Sequence, residues 1–136
     1  MASVGGDITE VTYNHPTLGA GRFLCKANED STFDKGGFRR VDDQNMVDGA
    51  GEDIAQINRV RWSFEGTVTW DNLSDPDALD RLKSLASDPV PADWTFSHIS
   101  GKAYGGKGAP VGDIQAGGNN ATISMKIAGG GTLETI

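Results

Sequence analysis

Between residues 59 and 70 the chain reads RVRWSFEGTVTW, and this alternation limits the possible fold more than any other stretch. Val60, Trp62, Phe64, Val68 and Trp70 fall on one side, and Arg59, Arg61, Ser63, Glu65, Thr67 and Thr69 on the other. A period of two belongs to extended chain, whose successive side chains leave opposite faces. A helix would scatter the same apolar residues around its circumference, so the stretch predicts one long, half-buried strand with Trp62, Phe64 and Trp70 in the core. Gly66 falls on the apolar side, where a missing side chain predicts a bulge, a sharp coil or the close approach of another backbone.

Shorter alternating runs flank it. Val11 and Tyr13, then Phe23 and Cys25, predict antiparallel strands over 8–13 and 21–27, joined through a His15-Pro16 turn. Trp94, Phe96 and His98 mark another strand, and Ile123, Met125 and Ile127 one over 121–128. Between them, Ser74 or Asp75 caps a helix over about 75–87 with Pro76 at its first position, ending before Pro89. Its stripe of Ala78, Leu79, Leu82, Leu85 and Ala86 has to lie on a sheet, because an isolated helix of about twelve residues is marginal in water. Leu79, Leu82 and Leu85 therefore join the predicted core. With 136 residues and no strand–helix–strand alternation, the reading is one mainly β domain over 1–136, an antiparallel sandwich or barrel-like fold with one α-helix.

Nineteen glycines, about twice the average share of roughly 7%, argue against a helical bundle. The densest run, SGKAYGGKGAPVGDIQAGGNN over 100–120, reads as a flexible hairpin or edge segment. It comes close to a phosphate-cradling loop, with Gly101, Gly106 and Lys107 in place. Gly108 stands where a magnesium-binding hydroxyl is required, and the residues that follow cannot open a helix, so no nucleotide site is expected.

Acidic residues outnumber basic ones 19 to 12, and the net charge of −7 disfavours a surface that grips nucleic acid or anionic lipid. The single thiol Cys25 excludes an intrachain disulfide, and with only His15 and His98 beside it no structural zinc site is expected. Neither histidine has a triad-like neighbour, and Asp75, Asp77 and Asp80 suit the start of a helix better than a calcium loop. The expectation is a protein that is not an enzyme and uses no cofactor or metal. The start, MASVGGDITEV, has neither the basic nor the apolar segment of a secretory signal, and no run nears the ~18 apolar residues of a membrane span. A soluble protein made in the cytoplasm, without a membrane anchor, is expected.

Residues 28–53 differ in character, with eight acidic and three basic side chains, four glycines and no periodicity. They predict a long loop, and loops of that length tend to be functional or disordered. The embedded Phe33, Phe38, Met46 and Val47 call for something to pack against.

Two short strands, a long charged loop, RVRWSFEGTVTW, the capped helix DPDALDRLKSLA, WTFSHISGKAYGGKGAPVGDIQ and ATISMKIAGGG form an order that resembles the tail tube proteins of contractile-tailed bacteriophages. Their fold is similar to that of type VI secretion and pyocin tube proteins. The resemblance implies a structural subunit forming hexameric rings that stack into a channel for genome delivery, located in the virion tail and assembled in the host cytoplasm. Its implied partners are further copies of itself, the tail sheath protein, baseplate and terminator proteins, and the tape-measure protein, with phage DNA passing through without specific binding. Residues 28–53 would match the stacking loop between rings, with Phe33, Lys35, Phe38, Arg39, Arg40, Asp42, Asp43, Met46 and Val47 as its contacts. Arg59, Arg61, Ser63, Glu65, Thr67 and Thr69 would face the lumen, the sheath or a neighbouring subunit. The proline-free strand over 121–128 would offer an open edge to the next subunit. Two other readings stand beside it: a secretion-type tube of similar fold, and a monomeric carbohydrate-binding β-sandwich that exposes tryptophan to glycans.

An acidic conduit repels passing phosphates. The protein is therefore expected to show no duplex DNA binding at physiological salt in a fluorescence-anisotropy titration. Salt-sensitive binding would instead expose Arg59 and Arg61 as a cationic lining.

Overall fold

The computed structural model describes residues 5–27, 30–40, 47–54, 57–71 and 73–136. Among the described residues ten strands and one helix follow in order: β1 Ile8–His15, β2 Gly19–Leu24, β3 Thr32–Asp34, β4 Gly37–Arg40, β5 Ile57–Val60, β6 Trp62–Thr69, α1 Ala78–Ser87, β7 Ala92–His98, β8 Ala103–Gly117, β9 Thr122–Gly129 and β10 Glu134–Thr135. Eight strands form one antiparallel sheet in the order β2-β1-β7-β8-β9-β6-β3, with β10 alongside β8, while β4 and β5 pair separately. The mainly β, antiparallel, barrel-like class with one helix is the fold observed.

Two features curl this sheet into a barrel. β8 pairs through Ala103–Gly108 with β7 and from Ala109 onward with β9, so one long strand serves both walls. On the far side the chain leaving β2 reaches β6, where Cys25 bridges Val68, the Lys26 N–H donates to the Thr67 carbonyl (3.1 Å) and the Thr69 hydroxyl donates to the Leu24 carbonyl (3.2 Å). Burial and the nearby charge of Asp7 push the Cys25 thiol at this seam up to about 11.

Glycine-rich β8 is thus an interior strand, not the flexible hairpin or edge segment expected. The physical reason is a close fit to two tryptophans. A Cβ on Gly106 would come within 3.0 Å of the Trp62 indole, and one on Gly108 within 2.7 Å of it and 2.4 Å of the Ala128 carbonyl oxygen. Trp62 donates its Nε1–H to the Lys107 carbonyl (3.3 Å) and Trp94 to that of Gly108 (2.9 Å), so both indoles bury without an orphaned donor. Burial removes Trp62 and Trp94 as sugar-stacking platforms. Phe64, Phe96, Val11, Val68, Ile123 and Ile127 complete the interior, and Trp70 and Leu79 pack half-buried at its margin.

The β9 strand is likewise no open edge: it lies between β6 and β8, with Trp62 to Thr69 paired in unbroken register to Gly129 back to Thr122. That register also removes the bulge expected at Gly66. A Cβ there would sit 2.8 Å from the Ser31 hydroxyl oxygen and 2.9 Å from the Phe64 ring, so side chains fill the space. The expected strand over 59–70 is broken at Arg61, because β5 pairs with β4 whereas β6 pairs with β9 and β3.

Helix α1 begins at Ala78, later than its capping residues predicted. Asp71 captures Ser74 instead, accepting from its hydroxyl (2.6 Å) and backbone N–H (3.2 Å), and hydrogen bonding to Ser74 and Leu73 holds the Asp71 carboxyl below its ordinary range. Asp75 pairs with Arg81, which also donates to the Tyr13 hydroxyl (3.3 Å) and ties the helix to β1. Ala78, Leu82 and Leu85 are buried against the barrel, while Ala86 is exposed. Buried His15 fastens the β1–β2 turn to the segment before β7. Its Nδ1 accepts from the N–H groups of Thr17 (3.1 Å) and Leu18 (3.0 Å), which puts the proton on Nε2 for donation to the Val90 carbonyl (2.9 Å).

Replacing Trp62 by Ala should destabilise the fold by about 3–5 kcal/mol in urea unfolding, the range for a fully buried aromatic. Gly108→Ala should cost about 1–3 kcal/mol by overpacking against fixed backbone. A G108A protein that unfolds at the wild-type midpoint would mean that the glycine is not needed for the indole to fit.

Candidate functional site

Residues 28–53 depart from the long loop expected, because part of the segment belongs to strands. Phe33 turns inward: its ring lies 5.0 Å from Phe64, 5.3 Å from Phe96 and 5.9 Å from Tyr104, which seats β3 on β6. It is half-buried against the core instead of projecting from a loop. Immediately afterwards Gly36 (φ +72°) and Gly37 (φ +91°) redirect the chain. At Gly36 a Cβ would lie 2.5 Å from the Trp62 backbone nitrogen, so only glycine allows the chain to leave the barrel here.

What leaves is a ribbon. β4 and β5 run antiparallel with Gly37 opposite Val60, Phe38 opposite Arg59, Arg39 opposite Asn58 and Arg40 opposite Ile57. Neither strand pairs with the main sheet. Further along, residues 47–53 close on themselves: Val47 bridges Asp53, and the Asp48 carboxylate accepts from the N–H groups of Ala50 (2.9 Å) and Glu52 (3.0 Å). Asp42, Asp43 and Met46 lie outside the described residues.

Among the described residues of this excursion four large apolar side chains face water: Phe38 at 70% exposure, Ile57 at 59%, Val47 at 51% and Ile54 at 47%. Arg59 covers one face of Phe38, its guanidinium 5.0 Å from the ring centroid. Phe38 and Val47 were anticipated from sequence. Ile54 and Ile57 were not, although Ile57-Asn58-Arg59-Val60 is a short strand candidate set against 37–40.

The other anticipated positions separate. Lys35 stands beside a cleft of about 870 Å³ that Phe33, His98, Lys102, Tyr104, Asp7 and Asp30 help to line. Its Nζ lies 5.5 Å from the Tyr104 ring centroid, and that of Lys102 5.9 Å. His98 is engaged at both nitrogens, by the Ser100 N–H at Nδ1 (3.1 Å) and the Gly6 carbonyl at Nε2 (3.1 Å). Ser63, Glu65, Thr67 and Thr69 remain together on the polar side of β6, with Glu65 opposite Lys126 of β9. Arg59 and Arg61 do not share that face, since Arg59 belongs to the ribbon and Arg61 to the junction. Among the described residues no group of three or more His, Cys, Asp or Glu is placed to hold a metal ion, and no helix is long and apolar enough to cross a membrane.

No protein-family model matches this chain, and no curated protein is significantly similar to it in sequence.

Because Phe38 and Ile57 contribute little to the barrel, replacing both by Ser should change the unfolding free energy of the dilute protein by less than about 1 kcal/mol. Tryptophan fluorescence in urea measures this. A larger loss would place the ribbon against the body.

Proposed function

We propose that this protein is a structural subunit of a bacteriophage tail tube, assembling into stacked rings around a channel for DNA and performing no catalysis. The observation that carries the reading is the β4–β5 ribbon, which leaves the barrel at a glycine pivot and displays Phe38, Val47, Ile54 and Ile57. A lone two-stranded ribbon is marginally stable in water, and burying one large apolar side chain is worth about 1.5–3 kcal/mol. The ribbon therefore gains most when another molecule covers it. Repeated around a ring, individually modest contacts become strong together. The resemblance of element order to contractile-tail tube proteins supplies the assembly type, and with it the sheath, baseplate, terminator and tape-measure proteins as partners in the virion. The excess of acid over base suits a channel through which phosphates slide.

Sedimentation velocity with negative-stain microscopy tests the reading. Rings and open tubes are expected at high protein concentration, and the F38S/I57S variant should give a folded subunit with no long tubes. A single species near 14.3 kDa at every concentration would overturn the proposal.

A further inference from the structure

The cleft of about 870 Å³ gathers two cations that no carboxylate of the protein meets. Among the described residues Lys35 and Lys102 form no ion pair and no side-chain hydrogen bond; both ammonium groups stand by the Tyr104 ring, at 5.5 and 5.9 Å from its centroid. The Tyr104 hydroxyl has no hydrogen-bond partner among them either. Cations elsewhere behave differently, Arg22 facing Glu10, Arg81 Asp75 and Lys107 Asp93. The two lysines are nevertheless held at their roots, because the Lys35 carbonyl accepts from the Leu133 N–H (2.9 Å) and the Lys102 carbonyl from that of His98 (2.8 Å). Like charges drawn to one ring repel each other, and an anion bound beside them offsets that repulsion.

Floor and wall of the cleft are already in place. The half-buried rings of Phe33 and Tyr104, 5.9 Å apart, form an aromatic floor, and Ile99, 65% exposed, gives an apolar rim. His98 clasps the wall: its Nδ1 accepts from the Ser100 N–H, which leaves Nε2–H to donate to the Gly6 carbonyl. A Cβ on Gly6 would lie 2.5 Å from the Ile99 side chain and 3.3 Å from the His98 ring, so that segment packs directly on the end of β7. The acids of the cleft sit at its other end. Asp30 precedes β3 and Lys35 follows it, and the pairing of Thr32 with Glu65 and of Asp34 with Ser63 carries Asp30 toward Thr67 and Lys35 toward Trp62. Asp7 belongs with Asp30, since its charge acts on Cys25, which bridges Val68. We propose that the cleft binds a small aromatic compound carrying a single carboxylate or sulfonate, with the anion at Lys35, Lys102 and Tyr104 and the ring on Phe33 and Ile99. A cationic ligand would meet two ammonium groups, and a second anionic group reaching along the cleft would meet Asp7 and Asp30. The site is complete within one copy and does not rest on the assembly reading.

Two fluorescent probes test this: anilinonaphthalene sulfonate, an aromatic monoanion, and N-phenylnaphthylamine, the same ring system without the sulfonate. The sulfonate should bind saturably at one site per chain, more tightly than the uncharged probe, and raised salt should weaken it selectively. Lys35→Gln with Lys102→Gln should weaken sulfonate binding roughly tenfold or more while changing the uncharged probe by less than about twofold. Tyr104→Phe, which keeps the ring and removes the hydroxyl, should weaken the sulfonate by a smaller factor. The F38S/I57S variant should bind both probes as the wild type does, because the ribbon's apolar side chains lie outside the cleft. Circular dichroism checks that each variant is folded; if the double lysine variant is not, Tyr104→Phe and the single lysine variants carry the same test. Equal binding of the two probes by the wild type would overturn the proposal, as would sulfonate binding that survives the lysine changes or that disappears with F38S/I57S. Absence of saturable binding would overturn it as well.

Discussion

Two indole rings laid on a floor of glycine organise this molecule. Trp62 comes from β6 and Trp94 from β7, yet both direct their N–H groups to successive carbonyls of β8, at Lys107 and Gly108. At that point β8 passes from one wall to the other, pairing with β7 up to Gly108 and with β9 from Ala109. Any side chain at Gly106 or Gly108 would lift the Trp62 ring. Bulk on one side and its absence on the other therefore set the curvature of the barrel.

The same requirement recurs where the ribbon departs. Gly36 lies so close to the Trp62 backbone that the chain can cross only without a Cβ, and its positive φ sends β4 away from the sheet instead of along it. Core and ribbon are thus joined at one residue: Trp62 opens β6, anchors the interior and adjoins the pivot. A body this firmly packed can present a ribbon with little packing of its own, which suits an element whose partner is another molecule.

The fold class was legible because period-two patterns at Trp62–Val68, Trp94–Phe96 and Ile123–Ile127 are dictated by one-sided burial, a local property of sequence. The break at Arg61 was not legible, because alternation continues through it. What changes there is the partner strand, and partner choice is non-local. Gly105-Gly106-Lys107-Gly108 misled for a related reason: glycine reads as freedom when taken alone, and as clearance once a tryptophan from another strand lies over it. Phe33 shows the converse, an apolar residue in a charged segment that reads as a free anchor until its partners Phe64, Phe96 and Tyr104 are known. At the candidate site, Phe38 and Val47 stood out against charged neighbours. The importance of Ile57 depended on its pairing with Arg40 across a long excursion, and such a pairing leaves no local trace in the sequence.

The seam between β2 and β6 also sets how the protein meets electrophiles. Its lone thiol, Cys25, sits on the hydrogen-bonded closure beside Val68 and is kept protonated across the neutral range by burial and by Asp7. With so little thiolate present near neutral pH, alkylating reagents label Cys25 more slowly than an ordinary thiol, and raising the pH speeds the reaction.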